Sequence, residues 1–306
     1  MREEIRQKFI EILGDGKVFL GEPMSRHTTF RIGGPAEVFL VPETSRQLRD
    51  ILSLCKAEQV PFFILGNGSN LLVSDQGYRG VVVQMDRNMS EITLEGTEIR
   101  ACAGALLSSV AAAARKASLT GFEFAGGIPG SVGGAVVMNA GAYGGELKDV
   151  LKEATVMTSD GEILTIPVEK LQMGYRTSLV KTAGYLVLEA VIALKKGDPE
   201  AILARTKELS DKRTEKQPLD MPSAGSTFKR PEGYFAGKLI MDSGLRGFSI
   251  GGAQVSEKHC GFVVNKGNAT AADVRALMDH VVRTVKEKYG VTLEPEVKFL
   301  GDFDGR

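Results

Sequence analysis

The stretch GGIPGSVGGAVVMNAGAYGG, residues 126–145, holds eight glycines and one proline and carries no charged side chain. A disordered linker would be polar and would lack apolar residues such as Ile128, Val132 and Met138. Glycine allows positive φ angles and lets another group come close to the backbone, at a cost in conformational entropy. The stretch is therefore interpreted either as tight turns between strands or as bare main chain against which a flat or phosphorylated ligand lies.

A second glycine-rich loop, GNGSN at 66–70, follows a short apolar strand predicted over 61–66. Its small residues expose backbone N–H groups that can form an anion-binding concavity, with a tight turn as the alternative. The loop lacks the third glycine of the Rossmann fingerprint, and no helix is predicted after it, which disfavours a dinucleotide-binding βαβ unit. A third bend carries Arg31 and Gly33-Gly34. Together the loops favour FAD, which has a pyrophosphate for one loop and a flat ring system for another.

Composition limits the classes of function. Lys plus Arg equals Asp plus Glu, 38 against 38, so the basic excess of nucleic-acid-binding proteins is missing. The three cysteines and three histidines are scattered, which indicates reduced thiols and no metal site. The charged N-terminal stretch does not resemble a signal peptide, and no apolar run is long enough to span a membrane. We therefore expect a cytoplasmic protein with no membrane or nucleic-acid partner and no obligatory protein partner.

Mixed helices and strands, with runs of strands in place of strict βαβ alternation, predict an α+β fold. A Thr-Ser-Arg-Gln sequence predicts a capping box at Thr44, and Asp160-Gly161 predicts a hairpin turn. The Gly-Asp-Pro sequence at 197–199 predicts a domain boundary. Helices are predicted over 2–13, 44–60, 105–119, 199–216 and 271–289. Strands are predicted over 36–42, 61–66, 80–85, 91–96, 97–104, 185–194, 262–265 and 296–300, with the hairpin over 152–167.

Three further motifs carry chemistry or have a simpler structural explanation. Arg176 in GYRTS lacks charged neighbours in the sequence, and a surface ion pair is its alternative. Ser226 in PSAGSTFKRP is either reactive or a loop cap, and no Gly-x-Ser-x-Gly elbow supports a serine hydrolase. Glu296 in LEPEVKF lies at the start of a predicted strand, and a carboxylate there is most often simply solvated.

Seven stretches resemble, in order, those of the enolpyruvyl-UDP-N-acetylglucosamine reductases, the flavoenzymes that make UDP-N-acetylmuramate for bacterial peptidoglycan. The resemblance covers about Pro23 to Phe299 and is closest to the shorter subgroup of the family. It implies a two-part FAD-binding domain of the vanillyl-alcohol-oxidase/p-cresol-methylhydroxylase type, over 1–78 and 79–197, plus a C-terminal α+β substrate domain over 198–306. The stretches are RHTTFRIGG, LGNGSNLLVSD, GGIPGSVGGAVVMNAGAYG, GYRTS, PSAGSTFKRP, GLRGFSIGGAQVSEKH and LEPEVKF.

The resemblance also implies a reaction and its residues. NADPH reduces non-covalently bound FAD, the flavin N5 gives hydride to the vinyl carbon of the enolpyruvyl UDP-sugar, and Ser226 gives the proton. Arg176 and Glu296 act at the substrate carboxylate, with Lys229 as a candidate to polarise Ser226. The implied cofactor contacts are Arg31, Gly66, Asn67, Gly68, Ser69, Asn70, Leu71, Gly126, Gly127, Pro129, Gly130, Ser131, Gly133, Gly134, Asn139 and Ala140. The implied substrate contacts are Tyr175, Lys229, Arg230 and Gln254.

The chain departs from the family pattern at two places, and two rival functions remain. Arg230 stands where many relatives have Asn, and Cys260-Gly261 stands where Ala-Asn is expected. The shorter subgroup also lacks an inserted loop that closes over the substrate. The rivals are an FAD oxidase of alcohols or hydroxy acids, and a nucleotide-sugar-binding or regulatory protein that has lost catalysis.

Overall fold

The computed structural model describes residues 1–85 and 87–303. Its mixture of helices and strands confirms the predicted α+β class. The chain forms two units, each assembled from separate segments. The first unit contains Met1–Phe19, Phe39–Asn67 and Val82–Arg213, and the second contains Leu20–Val38, Gly68–Val81 and the chain from Thr214 onward.

The helices follow amphipathic stretches, with short helices in the loops. The α-helices are α1 (Glu3–Leu13), α2 (Ser45–Ala57), α3 (Leu107–Lys116), α4 (Val132–Met138), α5 (Leu179–Ala183), α6 (Pro199–Lys216), α7 (Ala236–Asp242) and α8 (Ala271–Tyr289). Single-turn 3₁₀ helices cover Met24–Arg26, Arg87–Met89, Glu123–Ala125, Leu147–Asp149 and Val168–Lys170.

The strands are short, and several have only two or three residues. In the N-terminal part they are β1 (Val18–Pro23), β2 (Pro35–Leu40), β3 (Phe62–Leu65), β4 (Leu71–Val73), β5 (Tyr78–Gln84), β6 (Ile92–Glu95), β7 (Glu98–Cys102) and β8 (Leu119–Thr120). They continue with β9 (Gly141–Ala142), β10 (Gly145–Glu146), β11 (Leu151–Met157), β12 (Ile163–Pro167), β13 (Leu186–Ala193), β14 (Lys195–Lys196), β15 (Ser249–Ile250), β16 (Ala253–Val255), β17 (Val263–Asn265) and β18 (Lys298–Leu300).

The first unit contains an antiparallel sheet in the order β12-β11-β13-β7-β6. The predicted hairpin is confirmed, because β11 pairs with β12 and Gly161 takes a positive φ of 82° in the turn. Helices α3 and α4 pack on this sheet through β7 and β13. The 126–145 stretch contains α4 and so lies against this sheet.

The second unit packs around α8. Its apolar core includes Phe30, Leu72, Leu277 and Val281, which come from distant parts of the sequence. The unit contains the sheet β15-β16-β17 and the parallel pair β4–β18. The predicted bounds of α8 are confirmed, and a capping box of Thr270 and Asp273 begins the helix.

A four-stranded sheet has the order β1-β2-β5-β3. The chain passes from one unit to the other within β1, β2 and β5. The three-part division over 1–78, 79–197 and 198–306 stays a prediction, and its residues Asp86 and 304–306 lie outside the described residues. Among the described residues, every helix is too short or too polar to span a membrane.

Two local predictions were wrong. Thr44 accepts a hydrogen bond from the Gln47 N–H, as predicted, but the Gln47 side chain accepts from Glu43 N–H and not from Thr44 N–H. The capping box is therefore incomplete. Helix α4 was not predicted within the glycine-rich stretch, because glycine disfavours helix interiors. Burial of Val132 and Val136 stabilises it there.

Candidate functional site

Helix α4 divides the glycine-rich stretch into parts with different environments. The Ser131 side chain caps the helix by accepting from Gly134 N–H at 3.5 Å. Asn139 ends the helix with a positive φ of 44°. Two backbone hydrogen bonds, from Val132 N–H to Ala105 O and from Gly133 N–H to Ala103 O (2.8 Å each), hold the first turn. The stretch is thus an ordered element and not a set of turns alone.

Gly133 and Gly134 lack side chains for different reasons. A Cβ on Gly133 would lie 3.0 Å from the Cβ of Ala103, so packing within the protein accounts for this glycine. A Cβ on Gly134 would meet only the Ser131 Oγ, at an ordinary 3.6 Å. Space therefore remains beside Gly134 that the described chain does not fill.

The two glycine-rich loops predicted to share a ligand come together in the first unit through Gly66 and Asn67. The Asn67 side-chain amide donates to Pro129 O at 2.7 Å. A Cβ on Gly66 would lie only 2.4 Å from the Ser131 Oγ. The absence of a side chain at Gly66 is what allows this close approach.

Arg213 lies beside Gly127, and sequence reasoning missed it. A Cβ on Gly127 would lie 2.9 Å from the Arg213 Nη1 and 3.0 Å from its Cδ. Burial lowers the pKa of Arg213, and within the described residues no carboxylate forms an ion pair with it. A partly buried cation without an acidic partner suits an anionic ligand. In the sequence Arg213 lies among other charged residues of the helix predicted over 199–216, and no motif distinguishes it there.

In the second unit, the loop at 68–70 packs against the bend that contains Arg31. Thr29 N–H donates to Gly68 O at 3.2 Å, and a Cβ on Gly68 would lie 2.0 Å from His27 O. Gly68 (φ 61°) and the exposed Arg31 (φ 55°) both adopt left-handed conformations. The predicted contacts Gly68 and Arg31 are therefore in neighbouring segments.

Asn70 connects the same loop to the segment that carries Glu296. Its side-chain amide donates to Glu296 O at 3.2 Å, and its carbonyl accepts from Lys298 N–H at 2.9 Å. Leu71 pairs with Lys298 where β4 and β18 begin. Ser69 lies between Gly68 and Asn70 in this loop.

The segments of Ser226 and Glu296 are joined through Thr227, which directly follows Ser226. Thr227 O accepts from Glu296 N–H at 2.9 Å, while Thr227 N–H donates to Gly261 O at 2.8 Å. The Thr227 Oγ1 accepts from Val263 N–H at 2.8 Å. Thr227 is fully buried, whereas Ser226 is exposed. The exposed Ser226 is thus the chain neighbour of a residue that bonds to the Glu296 backbone.

The predicted substrate contacts of this unit have partners within the chain. Lys229 Nζ pairs with Glu294 at 2.7 Å and lowers the pKa of that carboxyl. Its charge is therefore directed to Glu294, which weakens the hypothesis that Lys229 polarises Ser226. The Arg230 guanidinium lies 4.1 Å from the ring centre of Phe235, and the buried Gln254 donates to Gly247 O at 3.0 Å.

Arg176 occupies a tight turn in the first unit. Gly174 and Thr177 exchange two backbone hydrogen bonds, of 3.1 and 3.3 Å, and Arg176 has a positive φ of 57°. The Arg176 guanidinium carbon lies 4.9 Å from the centre of the Tyr175 ring, which is half exposed. Asn139 Nδ2 donates to Gly174 O at 3.1 Å, which connects this turn to α4. Ala140 follows Asn139, and its N–H donates to Ala135 O.

Comparisons with known families match both halves of the chain. Residues 217–300 match the family described as UDP-N-acetylenolpyruvoylglucosamine reductase, C-terminal domain, and residues 36–167 match the FAD binding domain family. The chain is 57% identical over 296 residues to a UDP-N-acetylenolpyruvoylglucosamine reductase of Agathobacter rectalis, covering 92% of this chain and 93% of the relative. It is 52% identical to that of Caldanaerobacter subterraneus over 99% of this chain and the whole relative.

Solved structures agree with the sequence comparisons. The UDP-N-acetylenolpyruvylglucosamine reductase of Thermus caldophilus matches with a TM-score of 0.80 and 37% identity, over 93% of this chain and 98% of that chain. A variant of Phl p 4, a glucose oxidase, matches 64% of this chain and 44% of its own with a TM-score of 0.51 and 14% identity. At that identity the second likeness concerns the fold alone.

Proposed function

This chain belongs to the family of UDP-N-acetylenolpyruvoylglucosamine reductases, and from that premise we propose which of its residues carry the reaction. It is an FAD-dependent oxidoreductase of peptidoglycan precursor synthesis. With NADPH as reductant, it reduces the enolpyruvyl ether of a UDP-sugar to UDP-N-acetylmuramate. The assignment of roles rests on one observation: Thr227 follows Ser226 in the chain and accepts a hydrogen bond from the Glu296 N–H.

The residues of the first unit fit FAD. Gly134 leaves open space beside uncharged backbone, and Arg213 beside Gly127 offers a cation to an anionic part of the cofactor. We assign Gly66, Asn67 and the segment 126–140 of this unit to holding it, and add Arg213. Arg31 and the segment 68–71, which belong to the second unit, stay proposed contacts. The loops at 66–70 and 126–145 contain neither Cys nor His, which supports non-covalent binding. These residues would hold a cofactor that supplies hydride, taken from NADPH, to the vinyl carbon of the substrate.

Arg176 and Glu296 act at the substrate carboxylate, where negative charge accumulates as hydride is added. The guanidinium of Arg176 stabilises that charge directly and can form two parallel hydrogen bonds to a carboxylate. An ionised Glu296 would repel the developing charge. Glu296 therefore acts as the protonated acid or through a bridging donor.

Ser226 donates the proton to the carbon that bears the ether oxygen. Thr227 is buried and hydrogen-bonded through its N–H, carbonyl and hydroxyl, so the Ser226 backbone is fixed while the side chain stays accessible. A serine hydroxyl is a weak acid, so it gives up its proton only to a strongly basic acceptor. The reacting carbon is such an acceptor, because it has carbanion-like character that the carboxylate sustains.

We further propose that Tyr175, Lys229, Arg230 and Gln254 contact the substrate. Arg230, stacked on Phe235, is a cation where many relatives have an amide, which suits the diphosphate of the UDP group. A cytoplasmic location without nucleic-acid or obligatory protein partners belongs to the same proposal. It is supported by the balanced charge and the scattered cysteines.

The visible spectrum of the purified protein tests the function. We expect a yellow protein whose flavin absorbance is bleached by NADPH and restored, without oxygen, by the enolpyruvyl UDP-sugar. Oxygen consumption with an alcohol or hydroxy acid in the absence of NADPH would instead establish an oxidase. A colourless protein that binds the UDP-sugar and does not take up added FAD would contradict catalysis altogether.

A further inference from the structure

The turn that carries Arg176 has an unusual backbone conformation. Arg176 lies in the left-handed region, with φ 57°, between two residues that exchange backbone hydrogen bonds. This region favours glycine, because the Cβ of other residues crowds the backbone there. Neighbouring groups must therefore hold the turn in place.

Lys181 supplies one such group. Its Nζ donates to the carbonyl oxygen of Arg176 at 2.8 Å. Lys181 lies in the first turn of α5, where its N–H donates to the capping Ser178 Oγ. Ser178 Oγ itself donates to Val137 O at 2.9 Å, near the end of α4. The Arg176 peptide is thus anchored to both helices.

Asn139 supplies a second group, and both of its side-chain N–H donors are used. Nδ2 donates to Gly174 O and to Glu146 Oε2, each at 3.1 Å. Oδ1 accepts from Lys148 N–H at 3.0 Å. A carboxamide has two N–H donors, and both are used inside the protein. The side chain is buried and leaves no donor for a ligand.

The charges around Asn139 favour an amide over a carboxylate. Glu146 pairs with Lys148 Nζ at 2.8 Å, and hydrogen bonds from Lys148 and Asn139, with the charges of Lys148 and Arg176, lower its pKa. Aspartate at position 139 would place a second carboxylate against Glu146. A neutral donor is what this position requires.

We propose that Asn139 and Lys181 are positioning residues for Arg176. By fixing the Gly174 and Arg176 carbonyls, they hold the strained turn in one conformation, so that the guanidinium meets the substrate carboxylate without first reordering the chain. The inference rests on the proposed role of Arg176. It gives the Asn139 side chain a task within the protein in place of a contact to the cofactor.

Hydrogen exchange of the holoenzyme tests the holding itself. Asn139→Gly keeps access to the positive φ and removes the carboxamide, and Lys181→Met removes the ammonium group. In both we expect exchange of the Thr177 N–H, followed by mass spectrometry of peptides over 174–178, to speed by at least about ten-fold. Lys181→Arg should retain most of the protection, and Thr182→Val, whose hydroxyl donates to Leu179 O and to the N-cap Ser178 O, should retain all of it. Unchanged exchange in both Asn139→Gly and Lys181→Met would overturn the proposal.

The two half-reactions test the catalytic consequence. We expect flavin reduction by NADPH to stay within about two-fold in Lys181→Met, while reoxidation by the enolpyruvyl UDP-sugar falls about 10- to 100-fold in both variants, the scale of a misplaced catalytic group. Faster exchange of the Thr177 N–H with unchanged reoxidation would contradict the positioning role without contradicting the proposed function. Equal slowing of both halves would assign Asn139 to the flavin pocket. Wild-type protein inert toward the UDP-sugar would refute the proposed function, with the exchange result still deciding what holds the turn.

Discussion

The N–H of Glu296 donates to the carbonyl oxygen of Thr227 at 2.9 Å, which places Glu296 and Ser226 on adjoining segments. Lys229 N–H donates to Glu294 O at 2.9 Å, so the same two segments are joined again further along. A carboxyl group and a hydroxyl group that come from positions seventy residues apart thus share one rigid support. Rigid support of this kind is what proton delivery to a single carbon requires.

Replacing Ser226 by alanine separates the two halves of the reaction. Flavin reduction by NADPH should be nearly unchanged, because that step does not use the hydroxyl. Reoxidation by the enolpyruvyl UDP-sugar should fall by ~10²–10⁴, the usual effect of removing a positioned acid. Stopped-flow absorbance of the flavin measures both steps, and Ser226→Cys should recover part of the second, since a thiol also carries a transferable proton. If both steps slow equally, Ser226 shapes the flavin pocket and Glu296 becomes the next candidate donor.

Gly134→Ala should remove the flavin without harming the fold. The new Cβ meets only the Ser131 Oγ at 3.6 Å, and glycine to alanine in a helix stabilises by ~0.4–1 kcal/mol where the backbone conformation is compatible. We therefore expect a colourless protein that melts no lower than wild-type apoprotein. Flavin content and thermal unfolding, measured on one preparation, check both parts.

The matched variant is Gly133→Ala, on the same turn of α4. Its Cβ lies 3.0 Å from that of Ala103, so it should lower the melting temperature of the apoprotein. A Gly134→Ala protein that retains full FAD content would show that the space beside Gly134 is not part of the flavin site.

Asp75 should contribute to the stability of the second unit. Its carboxylate accepts from the N–H groups of Ala271 and Ala272 at 2.8 and 2.9 Å, while Thr270 accepts from Asp273. Together these side chains satisfy the first donors of α8, which have no partner within the helix. Asp75→Ala should destabilise the unit by about 1–2 kcal/mol, the usual effect of losing a cap.

Chemical denaturation followed through Cys260, a buried thiol of the second unit, measures that loss. The control is Asp279→Ala, which removes only an exposed ion pair with Arg275 and should change stability by less than about 0.5 kcal/mol. An Asp75→Ala protein as stable as the control would mean that water caps α8 equally well.

Cys55 should resist thiol reagents in the native protein. It is 1% exposed, and burial raises its pKa from 9.0 to about 12, so its thiolate is scarce at any ordinary pH. Ellman's reagent should modify the half-buried Cys102 first and Cys55 only through opening of the first unit. Fast native labelling of Cys55, identified by peptide mapping, would contradict this.

The same thiol makes stability depend on alkaline pH. Above the ordinary pKa of 9.0 the unfolded Cys55 loses its proton, while the folded residue keeps it until about 12. The unfolded state then binds fewer protons, so the free energy of unfolding falls as pH rises through this window. Cys55→Ala should flatten that dependence in urea unfolding measured between pH 9 and 11.

The sequence predicted elements whose local signals agree with their packing. Helix α8 has a cap, an apolar stripe and a C-terminal glycine, and its predicted bounds match. Helix α4 has glycines at its second and third positions, and only burial of Val132 and Val136 reveals why it is helical. Propensity is a weak guide when tertiary packing opposes it.

For the site, motifs indicated the segments but not the task of each side chain. The sequence around Asn139 does not predict that its side-chain amide donates to Gly174 O, because that hydrogen bond joins residues 35 positions apart. The proximity of Arg213 to Gly127 was not predicted for the same reason, since it exists only after α6 has packed. Such roles depend on contacts between distant parts of the chain, and the local sequence does not encode them.

The division of the second unit among three segments constrains how the protein is made on the ribosome. Residues 20–38 and 68–81 are synthesised early, yet their partners, such as Asn265 for Phe30 and Ala271 for Asp75, come after residue 214. At roughly 5–20 residues per second, translating residues 82–213 alone takes on the order of 7–26 s. For that interval Phe30, Ile32 and Leu72 lack the core that later buries them. The nascent chain therefore exposes apolar segments that are natural binding sites for a ribosome-associated chaperone.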